Sequence, residues 1–160
     1  MKYIRVISFL ISIFCFQNTY AAQFLFSDDS DEFTDEVLLQ FLIMDDSSLG
    51  GFAANCSNGN FFFAGKVTGM FETKKNIDLK IRFDKDEMIT KRIPVVDYSG
   101  YMTRDKAFTK DILNRIKNSD IFILKVGTEK TQKFTGYEGI GVEIDKFLDA
   151  TKDIDACNLI

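Results

Sequence analysis

Residues 77–83, Ile-Asp-Leu-Lys-Ile-Arg-Phe, alternate without exception between apolar and polar side chains. Successive side chains of a strand point to opposite faces, so Ile77, Leu79, Ile81 and Phe83 share one side and Asp78, Lys80 and Arg82 the other. A helical period would scatter the same residues around a cylinder, so the segment reads as a half-buried strand. One such strand has no stability of its own. It needs hydrogen-bonded neighbours and a second layer over its apolar face.

The rest of the chain supplies both. The run 37–44 (VLLQFLIM) is continuously apolar, long enough for a buried strand and short for a helix. It follows an acidic, turn-rich stretch from Ser27 to Glu36 and precedes a polar turn from Asp45 to Gly51. Phe52, Ala54 and Cys56 fall on one face of a short strand, Ser57-Asn58-Gly59-Asn60 reads as a hairpin turn, and Asn60 to Met70 returns. Asp84 to Glu87 turns the 77–83 strand into a partner around Met88 to Val96, with Pro94 marking a turn or an edge. Phe108, Ile112, Leu113 and Ile116 stand at helical spacing within 106–117, ended by Asn118 and Ser119. Ile121 to Val126 and Thr131 to Tyr137 read as paired strands, and Val142 to Thr151 as a second helix leading to Cys157. The expectation is a mainly β domain, an antiparallel β-sandwich or partly open barrel with a helix near the middle and one at the end.

The amino terminus adds a compartment. Lys2 and Arg5 precede an apolar run from Val6 to Phe16, and small residues follow, with Ala21 and Ala22 as cleavage points. This is the order of a secretory signal, and the run is too short to span a bilayer. The division expected is a cleavable signal over 1–22 and one β-rich domain over 23–160, periplasmic or secreted, with no stable membrane span after cleavage. Loss of the signal takes Lys2 and Arg5 and no acid, so the net charge of −4 becomes −6. That balance argues against nucleic acid and anionic membrane surfaces as partners. Cys15 departs too, leaving Cys56 and Cys157, an even pair that reads as a disulfide in an oxidising compartment.

Catalytic patterns are sparse. The chain has no histidine, which excludes Ser-His and Cys-His nucleophile pairs, and it lacks the Cys and His of a zinc site. The acidic cluster Asp28, Asp29, Asp31, Glu32, Asp35 and Glu36 could offer oxygen ligands to calcium, but without the glycine and closing glutamate of a loop pattern it reads as a solvated segment. Asp84 and Asp86 could form a glycosidase-type carboxylate pair, or be ordinary turn residues. Gly136, Gly139 and Gly141 read as backbone geometry at a strand-to-helix turn rather than a phosphate loop. Phe61, Phe62 and Phe63 on one strand must alternate between faces, so at least one turns away from the core side, covered by another layer or by a partner.

The order of landmarks resembles a family. A cysteine-ended strand and turn (AANCSNGNFFFAG), a strand carrying Arg82, Phe83 and Asp84, then Phe108, the strand 121–126, Phe134 with Gly136, a helix and Cys157 look like the periplasmic proteins grouped around invasion-associated locus B and the type VI secretion accessory protein VasI. Where that pattern carries tryptophan, this chain has Phe24 or Phe26 and Ile93. The resemblance implies an exported β-sandwich without enzymatic activity, acting at the cell envelope by binding. The functional expectation is therefore a non-enzymatic accessory or binding protein, free of cofactor and metal, whose partner is another envelope or secreted protein. An inhibitor of a lysozyme-like hydrolase, or a phage exclusion factor, is the alternative, and a hydrolase using Asp84 or Asp86 a third class. A contiguous exposed apolar patch on one sheet face would mark the binding side.

Overall fold

The structure is a computed structural model that describes residues 22–29, 36–67, 75–127 and 130–159. The segment read as an export signal, with Cys15, lies outside the described residues, as do Asp31, Glu32 and Asp35 of the acidic cluster and residues 68–70 of the returning strand.

Among the described residues, two antiparallel sheets and two helices form the fold. The first sheet has the order β1(Gln23–Asp28), β2(Leu38–Met44), β3(Gly51–Ser57), β4(Asn60–Lys66), β7(Gly100–Thr103). The second has the order β6(Ile89–Pro94), β5(Asn76–Phe83), β8(Ile121–Val126), β9(Lys130–Thr135). Helix α1(Lys106–Lys117) precedes β8, and α2(Ile140–Thr151) follows β9. The two sheets are separate hydrogen-bonded ladders and close no barrel, meeting along one side through the Val95–Tyr101 bridge and along the other through the Ala22 N–H to Thr135 carbonyl bond.

Strand 77–83 does what its alternation dictates. Ile77, Leu79, Ile81 and Phe83 are buried while Asp78 and Arg82 are exposed, and β5 lies between β6 and β8. Its apolar face meets the inner face of the first sheet, which carries Leu39, Phe41, Ile43, Phe52, Ala54, Cys56, Phe61 and Phe63. Phenylalanines knit the layers. Phe122 and Phe134 pair across β8 and β9 with stacked rings 4.1 Å apart, and the ring of Phe52 sits 5.9 Å from each.

Both helices cover the part of the first sheet's inner face that the second sheet does not reach. α2 buries Ile140, Ile144, Phe147 and Thr151 against β1, β2 and α1, with Phe147 edge-on to Phe26. α1 starts at Asp105, whose carboxylate accepts the Phe108 N–H at 2.9 Å and pairs with Lys91 at 2.5 Å. This is a side-chain cap that satisfies an otherwise unpaired amide of the first turn. The hydrogen bond from Lys91, and then that from Phe108, hold the Asp105 carboxyl below its ordinary range. Cys56 near the end of β3 is joined to Cys157 past α2, with the Cα atoms 5.7 Å apart, and both are fully buried.

Four readings of the sequence are corrected. β2 is not buried on both sides: Leu39, Phe41 and Ile43 are, while Leu38, Leu42 and Met44 face outward, so the burial alternates although the chemistry does not. β1 and β7 were not legible as strands, and β1 runs through Ser27 and Asp28 of the stretch expected to turn. The last pair of strands closes at Thr135 rather than Tyr137. α2 begins at Ile140, two residues early, because Gly139 takes up the left-handed conformation (φ 86°) that starts it.

Candidate binding face

Inward residues of the first sheet are committed to the core, and the outward residues are almost as apolar. Register places Leu25 opposite Leu42, Leu42 opposite Ala53, Ala53 opposite Ala64, and Ala64 opposite Met102. One row of five apolar side chains therefore crosses every strand on the face that, among the described residues, neither helix nor the second sheet covers. The next row holds Ser27, Gln40, Asn55 and Phe62.

Residue size shapes this face. β3 and β4 contribute Gly51, Ala53 and Ala64 to its middle, while Leu38, Leu42, Met44 and Leu49 rise on one side and Phe62 and Val96 on the other. A Cβ at Gly51 would run into the carbonyl of Ile43, which is why this position stays flat. The result is an apolar groove of about 540 Å³. Leu49 (63% exposed) and Val96 (53%) stand open to solvent at its rim, as does Leu25 (56%) at the end of the apolar row.

Polar groups are few and placed at the two ends. Gln40 Nε2 donates to Asn55 Oδ1 at 2.6 Å near one end. Lys66 and Asp97 are the charged residues of the lining among the described residues, both near the other end beside Gly100. Asp97 Oδ1 accepts the backbone N–H groups of Ser99 at 2.8 Å and Gly100 at 2.5 Å, and these two bonds hold its carboxyl below the usual range. The end of β4 is pinned from the second sheet by Gln132, whose Nε2 donates to the Lys66 carbonyl at 3.0 Å. The phenol of Tyr101 is fully buried without a hydrogen-bond partner among the described residues, and burial pushes its pKa up.

No family model, curated protein or solved structure matches this chain.

The residues singled out from sequence fall as follows. Phe61 and Phe63 are core residues, and Phe62 is the one turned outward, into the groove. Cys56 and Cys157 form the expected bridge. Asp84, at φ 43°, uses Oδ1 to accept the N–H groups of Asp120 and Ile121, which is the work of a turn residue, and Asp86 is exposed. Gly136 and Gly139 have positive φ, in keeping with a tight strand-to-helix turn. A shallow polar depression beside them brings the Ser119 and Tyr137 hydroxyls to 3.0 Å, and burial pushes the Tyr137 phenol up to about 12. Asp28, Asp29 and Glu36 are the described members of the acidic cluster, and among the described residues no three acid, cysteine or histidine side chains converge. What the sequence did not disclose is the apolar row itself. Its signal was present in β2, where both alternating sets of side chains are apolar.

Proposed function

We propose that this protein is an exported, non-enzymatic accessory protein of the cell envelope that acts by binding, and that the outer face of its five-stranded sheet is the binding surface. The observation that carries the reading is the groove. An open, contiguous apolar surface of this kind costs solubility in a free monomer and is characteristic of sites that are covered in use. Support for export comes from the signal-like amino terminus and from the buried Cys56–Cys157 bridge, which suits an oxidising compartment. The order of landmarks shared with the invasion-associated locus B and VasI group favours binding over catalysis. The resemblance implies another envelope or secreted protein as partner, whereas the chemistry of the face itself supports no more than a largely apolar occupant.

The test pairs the wild-type protein with Ala64→Arg, which fills the groove with a charged chain that can still reach water and leaves the core untouched. Both are used as bait on an extract of the producing cell's envelope. A species captured by the wild type and lost by the variant, at an unchanged thermal midpoint, is the expected result. Equal capture by the two would place binding elsewhere on the molecule.

A further inference from the structure

Resting on the reading of this groove as a binding surface, we propose that its occupant is a single-chain zwitterionic lipid, with the apolar chain lying along β3 and β4 and a phosphate–ammonium head between Lys66 and Asp97. The chemistry of the floor argues for a chain rather than a peptide. The backbone groups of β3 and β4 are engaged in their ladders, and of the two amides of the lining, Gln40 Nε2 already donates to Asn55 Oδ1. An extended peptide laid there would bring its own N–H and C=O groups into an apolar trough, at about 1–3 kcal/mol for each one left unpaired. An alkyl chain brings none.

Length and volume agree with this. From Asn55 to Gly51 the floor runs four residues along β3, roughly 13 Å at the rise of a strand. A cavity of about 540 Å³ lies within the range of small-molecule sites.

The charges select the head. Lys66 makes no ion pair among the described residues, and it shares the groove's end with the Asp97 carboxylate. One cation and one anion side by side complement a phosphate and an ammonium joined by a short linker. A purely anionic head would meet Asp97 and a domain whose residues 23–160 carry a net charge of −6. A second copy of the chain would have to offer a convex apolar ridge. Among the described residues, the exposed large apolar side chains outside the groove and its row are Met88 between β5 and β6, Tyr98 between β6 and β7, Ile121 on β8 and Val142 on α2, and these are spread over four segments rather than gathered in one ridge.

Calorimetric titration of the oxidised full-length mature protein with dodecylphosphocholine, below its micelle concentration, tests the proposal, with dodecanoate and dodecyltrimethylammonium as head-group controls. One saturable site is expected, tightest for the zwitterion. Ala64→Arg should weaken it at least about tenfold, and Lys66→Met about two- to fivefold, as suits one exposed charge contact. Both variants should keep the wild-type midpoint without lipid. Absence of saturable binding, equal affinity for the three heads, or binding unaffected by Ala64→Arg would overturn it. So would saturable binding of an apolar decapeptide in place of lipid, or self-association in sedimentation that Ala64→Arg abolishes. If the lipid fails while envelope capture still depends on Ala64, only the lipid assignment falls. Loss of both removes the binding surface as well.

Discussion

Replacing Cys56 and Cys157 together by alanine removes the one covalent link between the first sheet and the carboxyl terminus. The bridge spans 101 residues, and in the chain-entropy account closing a loop of about that size withholds roughly 4.7 kcal/mol of disorder from the unfolded chain at 25 °C. For the roughly 138 residues that follow position 22, an unfolding entropy of about 2.1 cal/mol/K per residue comes to about 0.29 kcal/mol/K. The midpoint should then fall by about 16 °C. Calorimetry of the two proteins without reductant, with the wild-type bridge formed, measures this, and urea titration adds a check: the slope m should rise in the variant, because its unfolded chain exposes more surface. A midpoint within about 3 °C of wild type, at unchanged m, would refute the idea that the bridge acts by restricting the unfolded chain.

Phe134→Ala deletes a fully buried ring that stacks on Phe122 and touches Phe52, and should cost about 3–5 kcal/mol in urea denaturation; a cost under about 1 kcal/mol would mean the sheets are not packed through this cluster. Asp105→Ala removes both the cap of α1 and the partner of Lys91 and should cost about 1 kcal/mol. The carboxyl of Asp105 is held low in the fold, so its contribution is present above the unfolded value of about 3.9 and is lost as pH falls through the lower folded value. Asp105→Asn, which keeps an oxygen for the Phe108 N–H, should flatten that acid-side decline in midpoint; an unchanged acid profile would contradict the assignment.

How far the sequence disclosed the fold depended on whether one face of an element was wet. β5 alternates because its outer face meets water, and α1 shows a helical stripe for the same reason, so both were legible at their true positions. β2 hid its orientation because its outward residues Leu38, Leu42 and Met44 are as apolar as its inward ones. The property that obscured the strand is the property that makes the groove. β7, four residues long with Tyr101 buried and Met102 half-buried, is too short to show a period, and its pairing to β4 is a tertiary fact. β1 carries its pattern, Phe24 and Phe26 inward and Leu25 outward, but sits between the signal-like segment and the acidic stretch. The disulfide was legible from cysteine count together with the expectation of export, since setting Cys15 aside leaves a single possible pair. The groove was not, because its row of side chains is drawn from five strands that only the sheet brings into line.

The account stands on the outer face of the five-stranded sheet being covered in the cell. A photo-crosslinking side chain placed at Phe62, within the groove, and at Val142, exposed on α2, addresses this directly in intact producing cells. Irradiation should give a discrete adduct from position 62 that Ala64→Arg abolishes, and none from position 142. No adduct at 62, or the same adduct from both positions, would contradict the assignment of this face as the binding surface.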